Sequence, residues 1–228
     1  MQFISLHSSS SANLYRVDSE NESILIEAGL TVSKIREKLN FKLSVISGAL
    51  ISHSHGDHAK GVAGLIRAGV DCYLTAETAE ALGVSGHRVH IIEPLKQFKI
   101  VRFDILPFPT QHDCPGACGF LVSDKTDKLV FATDTFYLRY RFQGITIIAV
   151  ECNYSRETIA PDICPTVRAR LYKSHFSLEN VINFLGSNDI SRVREIHLLH
   201  LSDGNSDAEM FIRKIQQTSG IPVYVAGE

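Results

Sequence analysis

The stretch "ISHSHGDH", residues 51–58, places His53, His55, Asp57 and His58 within six positions of one another. Imidazole and carboxylate groups are ligands for zinc, iron and manganese, and a carboxylate can bridge two such cations. Residues i and i+2 of an extended segment face the same way, so His53 and His55 can grip one cation. Past the turn at Gly56, Asp57 and His58 can face a second. Two ions about 3.5–4 Å apart acidify a bridging water and clamp an oxyanion, which is hydrolytic chemistry. A solvated polar loop or a chance run of capping residues leaves the same local pattern, so ligands elsewhere must decide.

Those further candidates recur at one kind of place. His53 follows the apolar run "ALIS", His112 follows "FDILPFPTQ", Asp134 follows "LVFAT" and His200 follows "REIHLL". Each sits where a strand leaves the core. Strands sharing one end of a sandwich would bring all of them to one edge, held rigidly by the apolar runs behind them.

The elements that must do this alternate irregularly. "QFISL", "LYRV" and "SILIEAG" read as strands around a Ser-rich turn, followed by a helix with Val32, Ile35 and Leu39 on one face. "ALIS" is a strand, "AKGVAGLIRAG" a helix and "CYLT" a strand. "VHII", "FKIVRFDILPF" and "CGFLVS" are strand-like, and "KLVFATD" and "ITIIAVEC" suit strands buried on both faces. Ser177 caps a helix, "REIHLLHLS" is a strand, and Ser206 with Glu209 makes a capping box for the next helix. "IPVYVAG" is the last strand. Consecutive strands with helices interspersed predict an α/β (α+β) layered αββα arrangement in one domain, residues 1–228.

Composition is that of an ordinary globular chain: 228 residues, 44% hydrophobic and 21% charged. No run of 18 apolar residues exists, and the start lacks the basic flank and apolar stretch of a signal peptide, so a cytoplasmic location and no membrane association are expected. A net charge of −2 argues against a general nucleic-acid-coating surface while leaving room for a local basic patch. The five scattered cysteines are no disulfide framework. Cys114 and Cys118, spaced C-x₃-C beside His112, form a second candidate metal site, though no further close Cys/His pair completes a tetrahedral set.

The pattern HxHxDH after a strand, then a distant His, an Asp and a final His, resembles the metallo-β-lactamase superfamily. The resemblance implies its four-layer αββα sandwich and two divalent metal ions, zinc first, with manganese or iron as alternatives. It implies that His53, His55 and His112 hold one ion, that Asp57, His58 and His200 hold the other, and that Asp134 bridges them with the hydroxide that attacks. Within the superfamily "SLHSSSSANLYRV", "ATDT", "VECN", "SHFSLEN" and "LLHLSDGN" are similar in order to the YycJ/WalJ group, with Ser9 and Ala12 where that group has glycines.

His175 in "SHFS" and Glu151 in "AVEC" match positions typical of the phosphodiesterase branch, where the histidine assists leaving-group departure. The implied activity is a phosphodiesterase or nuclease, 5′-3′ exonuclease-like, on a nucleic acid or nucleotide. The alternatives are a thioester or lactone hydrolase and a cyclic-nucleotide phosphodiesterase. Arg168, Arg170 and Lys173 ahead of His175, with Arg139 and Arg141 in "YLRYR", are candidate phosphate contacts. His7, His87, His90 and His197 match no motif position and are expected to be structural or exposed, His7 being nearest in sequence to the opening turn. The 65 residues between Asp134 and His200 leave no room for a large nucleic-acid clamp, so an open site, or one completed by another subunit of a homo-oligomer, is expected.

Overall fold

The computed structural model describes residues 1–227. Two mixed sheets carry the chain. The first has six strands in sequential order: β1 (Gln2–Ser9), β2 (Ala12–Ser19), β3 (Glu22–Ile26), β4 (Ile46–Leu50), β5 (Cys72–Leu74) and β6 (Val89–Ile91). The second has seven, also in sequential order: β7 (Phe98–Ile100), β8 (Phe103–Pro109), β9 (Cys118–Ser123), β10 (Lys128–Ala132), β11 (Ile147–Glu151), β12 (Glu195–Leu199) and β13 (Val223–Val225). In each sheet antiparallel pairing gives way to parallel pairing, from β3–β4 onward in the first and from β10–β11 onward in the second.

Period-two alternation builds the layers. In β10 and β11, Leu129, Phe131, Ile147 and Ala149 join the core between the sheets, with Phe3, Tyr15, Ile24 and Ile26 opposite. Their neighbours Val130, Ala132, Ile148 and Val150 face the other way, onto the helices α6 (Leu178–Gly186) and α7 (Ala208–Ser219). On the far side Leu14, Leu25 and Ala49 face α1 (Val32–Lys38), α3 (Val62–Arg67) and α4 (Ala76–Leu82). The stacking is αββα, as the alternation of elements predicts. No helix among the described residues is long and apolar enough to cross a membrane.

Several local expectations are corrected. The opening turn is shorter than the serine run suggests: β1 and β2 extend into it, and Ser9 Oγ accepts from Ser11 N and Ala12 N at 3.2 Å each. That side chain ties the turn, and neither Ser9 nor Ala12 adopts a positive φ. The helix expected over 59–69 is split into α2 (Gly56–Ala59) and α3, because Gly61 packs beneath the preceding loop. A Cβ there would lie 2.3 Å from Leu30 O. "FKIVRFDILPF" is two antiparallel strands turning at Val101. Asp207, not Ser206, caps α7, accepting from Met210 N at 2.9 Å, while Ser206 Oγ donates to Ser202 O. The segment "PTVRARLYKS" forms a helix, α5 (Pro165–Ser174), that the sequence reading leaves as charged chain.

One contact couples the fold to the histidine cluster. Gly29, just after β3, lies against the one-turn helix α2, where a Cβ would fall 1.8 Å from Asp57 O and 2.6 Å from Asn13 N. Both neighbours are backbone and cannot swing aside. Gly29→Ala is expected to destabilise by about 1–3 kcal/mol through overpacking and to displace Asp57. Thermal denaturation with metal analysis of the purified variant checks this; an unchanged melt with full metal content would contradict it.

Candidate metal centre

Strands β8, β10, β11 and β12 run in the same direction, so their C-terminal ends emerge on one edge. His112, Asp134, Glu151 and His200 stand there, and β3 and β4 of the other sheet bring Glu27 and His53 to the same place. Three residues at these strand ends adopt the left-handed backbone region: Glu27 (φ 67°), Asp134 (φ 45°) and His200 (φ 51°). Each such kink in a non-glycine residue costs about 1–3 kcal/mol, strain that gathers where a side chain must be aimed.

The side chains converge in two groups that share one carboxylate. His55 Nδ1 lies 3.1 Å from His53 Nε2 and 3.2 Å from His112 Nε2. Asp134 Oδ2 faces this triad, 3.7 Å from His53 Nε2 and 3.5 Å from His112 Nε2. Its other oxygen, Oδ1, lies 3.5 Å from His58 Nε2 and 3.2 Å from His200 Nδ1. Asp57 Oδ2 closes the second group at 3.0 Å from His58 Nε2 and 3.3 Å from His200 Nε2. In each group the ligand atoms lie within 4.8 Å of one another. All seven predicted ligands are thus brought together.

Glu151 and His175 abut the second group. His175 Nδ1 lies 2.6 Å from Glu151 Oε1, which leaves Nε2 as the nitrogen that can face a substrate. Glu151 is fully buried, and its Oε2 accepts from Thr135 N (3.1 Å) and Phe176 N (3.0 Å). The carboxylate therefore ties the residue after Asp134 to the residue after His175.

A family model described as a β-lactamase superfamily domain matches residues 22–198. The chain belongs to the metallo-β-lactamase superfamily. The exodeoxyribonuclease WalJ of Streptococcus pneumoniae serotype 2 (strain D39) is 30% identical over 229 residues, covering 90% of this chain and 83% of the relative. The exodeoxyribonuclease YycJ of Bacillus anthracis is 22% identical over 235 residues, covering 95% and 88%. In structure, the metallo-β-lactamase fold protein YhfI of Bacillus subtilis superposes with a TM-score of 0.76 at 15% identity, covering 99% of this chain and 95% of that one. This chain is a metal-dependent hydrolase of that superfamily.

Electrostatics shows that the donor set of this metallo-β-lactamase-fold hydrolase fits divalent cations. Burial, then the imidazoles of His58, His112 and His55, hold His53 well below its ordinary range, and burial lowers His112. Neutral imidazoles whose nitrogens converge suit a cation, and the buried His200 Nε2 faces Asp57 Oδ2 at 3.3 Å without a well-formed hydrogen bond. His58 and His200 behave oppositely. Burial opposes their charged forms, but Asp134, Asp57 and Glu27 outweigh it at His58, which is raised. Asp134, Asp57 and Glu151 push His200 up to about 10.

A ligating imidazole must be neutral, so a cation entering the second group displaces protons. Metal binding near pH 7 is expected to release up to about two protons and to tighten as pH rises. Calorimetry in buffers of different ionisation enthalpy measures the release; heats independent of the buffer would contradict it.

Two structural supports escape the sequence reading. Glu27 is fully buried, with Oε2 3.6 Å from His58 Nδ1, and so orients that ring from behind. Ser8 Oγ accepts from His200 N (3.0 Å) and lies 2.7 Å from Tyr15 OH, which donates to Asn13 Oδ1, and Asn13 Nδ2 lies 3.3 Å from His58 Nε2. The opening hairpin thereby reaches both histidines of the second group.

The open side is a cleft of about 240 Å³ whose lining includes His55, Asp134, His175, Ser10 and Arg170. Of the five candidate phosphate contacts only Arg170 lines it, and its Nε donates to Asp113 Oδ2 at 3.2 Å. Arg168 is drawn off to the carbonyls of Ala160 and Pro161, because α5 turns it toward the preceding loop. Lys173 is exposed and outside the lining.

The Cys114/Cys118 candidate is not assembled. Cys114 Sγ meets Ser54 Oγ, Cys118 Sγ donates to Ser52 O, and no cysteine joins a ligand group among the described residues. Burial holds the Cys118 thiol well above its ordinary range, against the thiolate that a metal needs. His90 stacks on Tyr73, and His197 packs between Phe3 and Tyr224.

Proposed function

We propose that the chain is a two-metal phosphodiesterase that degrades DNA from its 5′ ends, with residues 1–228 acting as one catalytic domain. The observation that carries this reading is the Glu151–His175 pair beside the shared carboxylate. Hydrolysis of a phosphodiester expels a poor, alkoxide-like leaving group that needs a proton, whereas the thiolate of a thioester departs without one. His175, whose charged form is opposed by burial but favoured more strongly by Glu151, is raised from the ordinary histidine value, the direction that favours a proton donor. The names of the bacterial relatives support the same substrate class.

His53, His55 and His112 would hold one cation, Asp57, His58 and His200 the other, and Asp134 would offer one oxygen to each. Bound there, the cations supply Lewis acidity toward phosphate oxygens and an acidified water. Zinc leads, with manganese and iron compatible, since five imidazoles and two carboxylates include no thiolate to exclude them. His175 Nε2 delivers its proton to the departing oxygen while Glu151 holds the ring. Arg170 presents its guanidinium to the strand at the mouth of the cleft.

The test is a panel of 5′- and 3′-labelled single- and double-stranded DNA, RNA, cyclic nucleotides, a thioester and a lactone, each with zinc or manganese. Stepwise shortening of DNA from the 5′ end is expected. Turnover of the thioester or lactone with every phosphodiester left intact would sink the reading.

A further inference from the structure

The loop that follows Asp134 carries a surface outside the metal cleft. Residues 137–141, "YLRYR", interleave exposed Tyr137, Arg139 and Arg141 with Leu138 and Tyr140, which are turned inward. Arg139 lies over the Tyr140 ring, 5.2 Å from its centroid, and its Nη2 donates to Tyr140 OH at 3.1 Å. Among the described residues neither Arg139 nor Arg141 pairs with a carboxylate. In a chain of net charge −2 this is a local basic patch, and Tyr137 is 54% exposed within it.

The loop is firmly placed. Phe136 N donates to Gln111 O (3.2 Å), Asn180 Nδ2 donates to Phe136 O (2.8 Å), and Thr135 Oγ1 donates to Tyr137 O (2.9 Å). It is thus tied beside His112 on one side and to α6 on the other. A shallow cleft of about 100 Å³ runs under it, lined by Tyr137, Arg139, Arg141, Phe176, Asn180 and Asn183. That is well below the ~300–1,000 Å³ of a small-molecule pocket, and suits one ring or one phosphate of a longer ligand. Phe176 is the neighbour of His175. Tyr137 is three residues from Asp134, at most about 11 Å of chain, or up to about three nucleotides of a stacked strand.

Resting on the phosphodiesterase reading, we infer that the Tyr137–Arg141 loop is a binding track for single-stranded DNA beyond the scissile phosphate. Guanidinium forks take phosphate oxygens, and an exposed tyrosine face stacks a base without demanding a sequence. The track gives the metal cleft the grip on a polymer that its own lining, with Arg170 as its one guanidinium, does not supply.

The experiment titrates metal-free protein into a fluorescein-labelled 15-nucleotide oligothymidylate and follows anisotropy at several salt concentrations. R139A/R141A is expected to weaken binding at least tenfold and to flatten the log–log salt slope by about 1.4, the release expected of two phosphate contacts on a single strand. Tyr137→Ala is expected to weaken it about tenfold, with Tyr137→Phe close to wild type. In the metal-loaded protein, R139A/R141A should lower the ratio of oligonucleotide to bis-p-nitrophenyl phosphate turnover at least tenfold. Wild-type protein that does not retain the oligonucleotide, or a double variant that retains it undiminished, overturns the track. Wild-type protein that cleaves neither substrate refutes the phosphodiesterase reading instead, and the anisotropy titration still decides the track.

Discussion

Asp134→Asn is expected to abolish hydrolysis, lowering kcat/KM at least about a thousandfold, while the variant remains folded. The reason lies in the separate duties of the two oxygens. Oδ2 faces the His53–His112 side and Oδ1 the His58–His200 side, with Thr133 Oγ1 donating to Oδ1 at 3.0 Å to hold the plane. An amide keeps one acceptor and turns an N–H₂ toward the other group, so it can serve one cation. Metal content should therefore fall from two equivalents toward one. Asparagine is preferred to alanine here because the position has φ 45°, which Asn tolerates and Ala resists. The electrostatic consequence is separate: Asp134 helps to hold His58 and His200 charged in the metal-free chain, so its loss lowers both. Elemental analysis with kinetics on bis-p-nitrophenyl phosphate tests this; two full equivalents of metal with wild-type turnover would overturn the proposed bridging role of Asp134.

The parts of this site that sequence made visible are those whose signal is local. His53, His112, Asp134 and His200 each stand directly after an apolar run, and the run both forms the strand and delivers the ligand. Glu27 carries the same signature, a lone acid after "SILI", yet it reads as a simple strand end because no histidine neighbours it in sequence. Its partner His58 is 31 positions away and meets it through the parallel β3–β4 pairing. The Ser8–Tyr15–Asn13 relay is likewise a product of register, since β1 and β2 must pair before Ser8 reaches His200 and Asn13 reaches His58. Helix α5 was illegible for a different reason: Ser174 is its one buried residue, so no apolar stripe marks it, and its charges look like solvated chain. That is also why Arg168 and Lys173 could not be told from Arg170. Which side of a helix faces a cleft is legible only when a buried face fixes the phase.

His175→Ala is expected to lower DNA cleavage by about 10²–10⁴, the range for loss of a positioned general acid. With bis-p-nitrophenyl phosphate the loss should be far smaller, because p-nitrophenolate departs without a proton. Glu151→Gln should act through pH instead. Glu151 Oε1 meets both His175 Nδ1 (2.6 Å) and His200 Nδ1 (3.0 Å), and it is the largest influence raising His175 against the opposing effect of burial. An acid must be protonated to act, so the rate falls as pH rises through the His175 pKa. Removing the carboxylate lowers that pKa, and the basic limb of the pH–rate profile should move to lower pH. A merely structural role for Glu151 would lower the whole profile without moving its limb. Equal losses of His175→Ala on both substrates would show that His175 supports the metal centre rather than donating a proton, and the phosphodiester reading would then lose the observation that carries it.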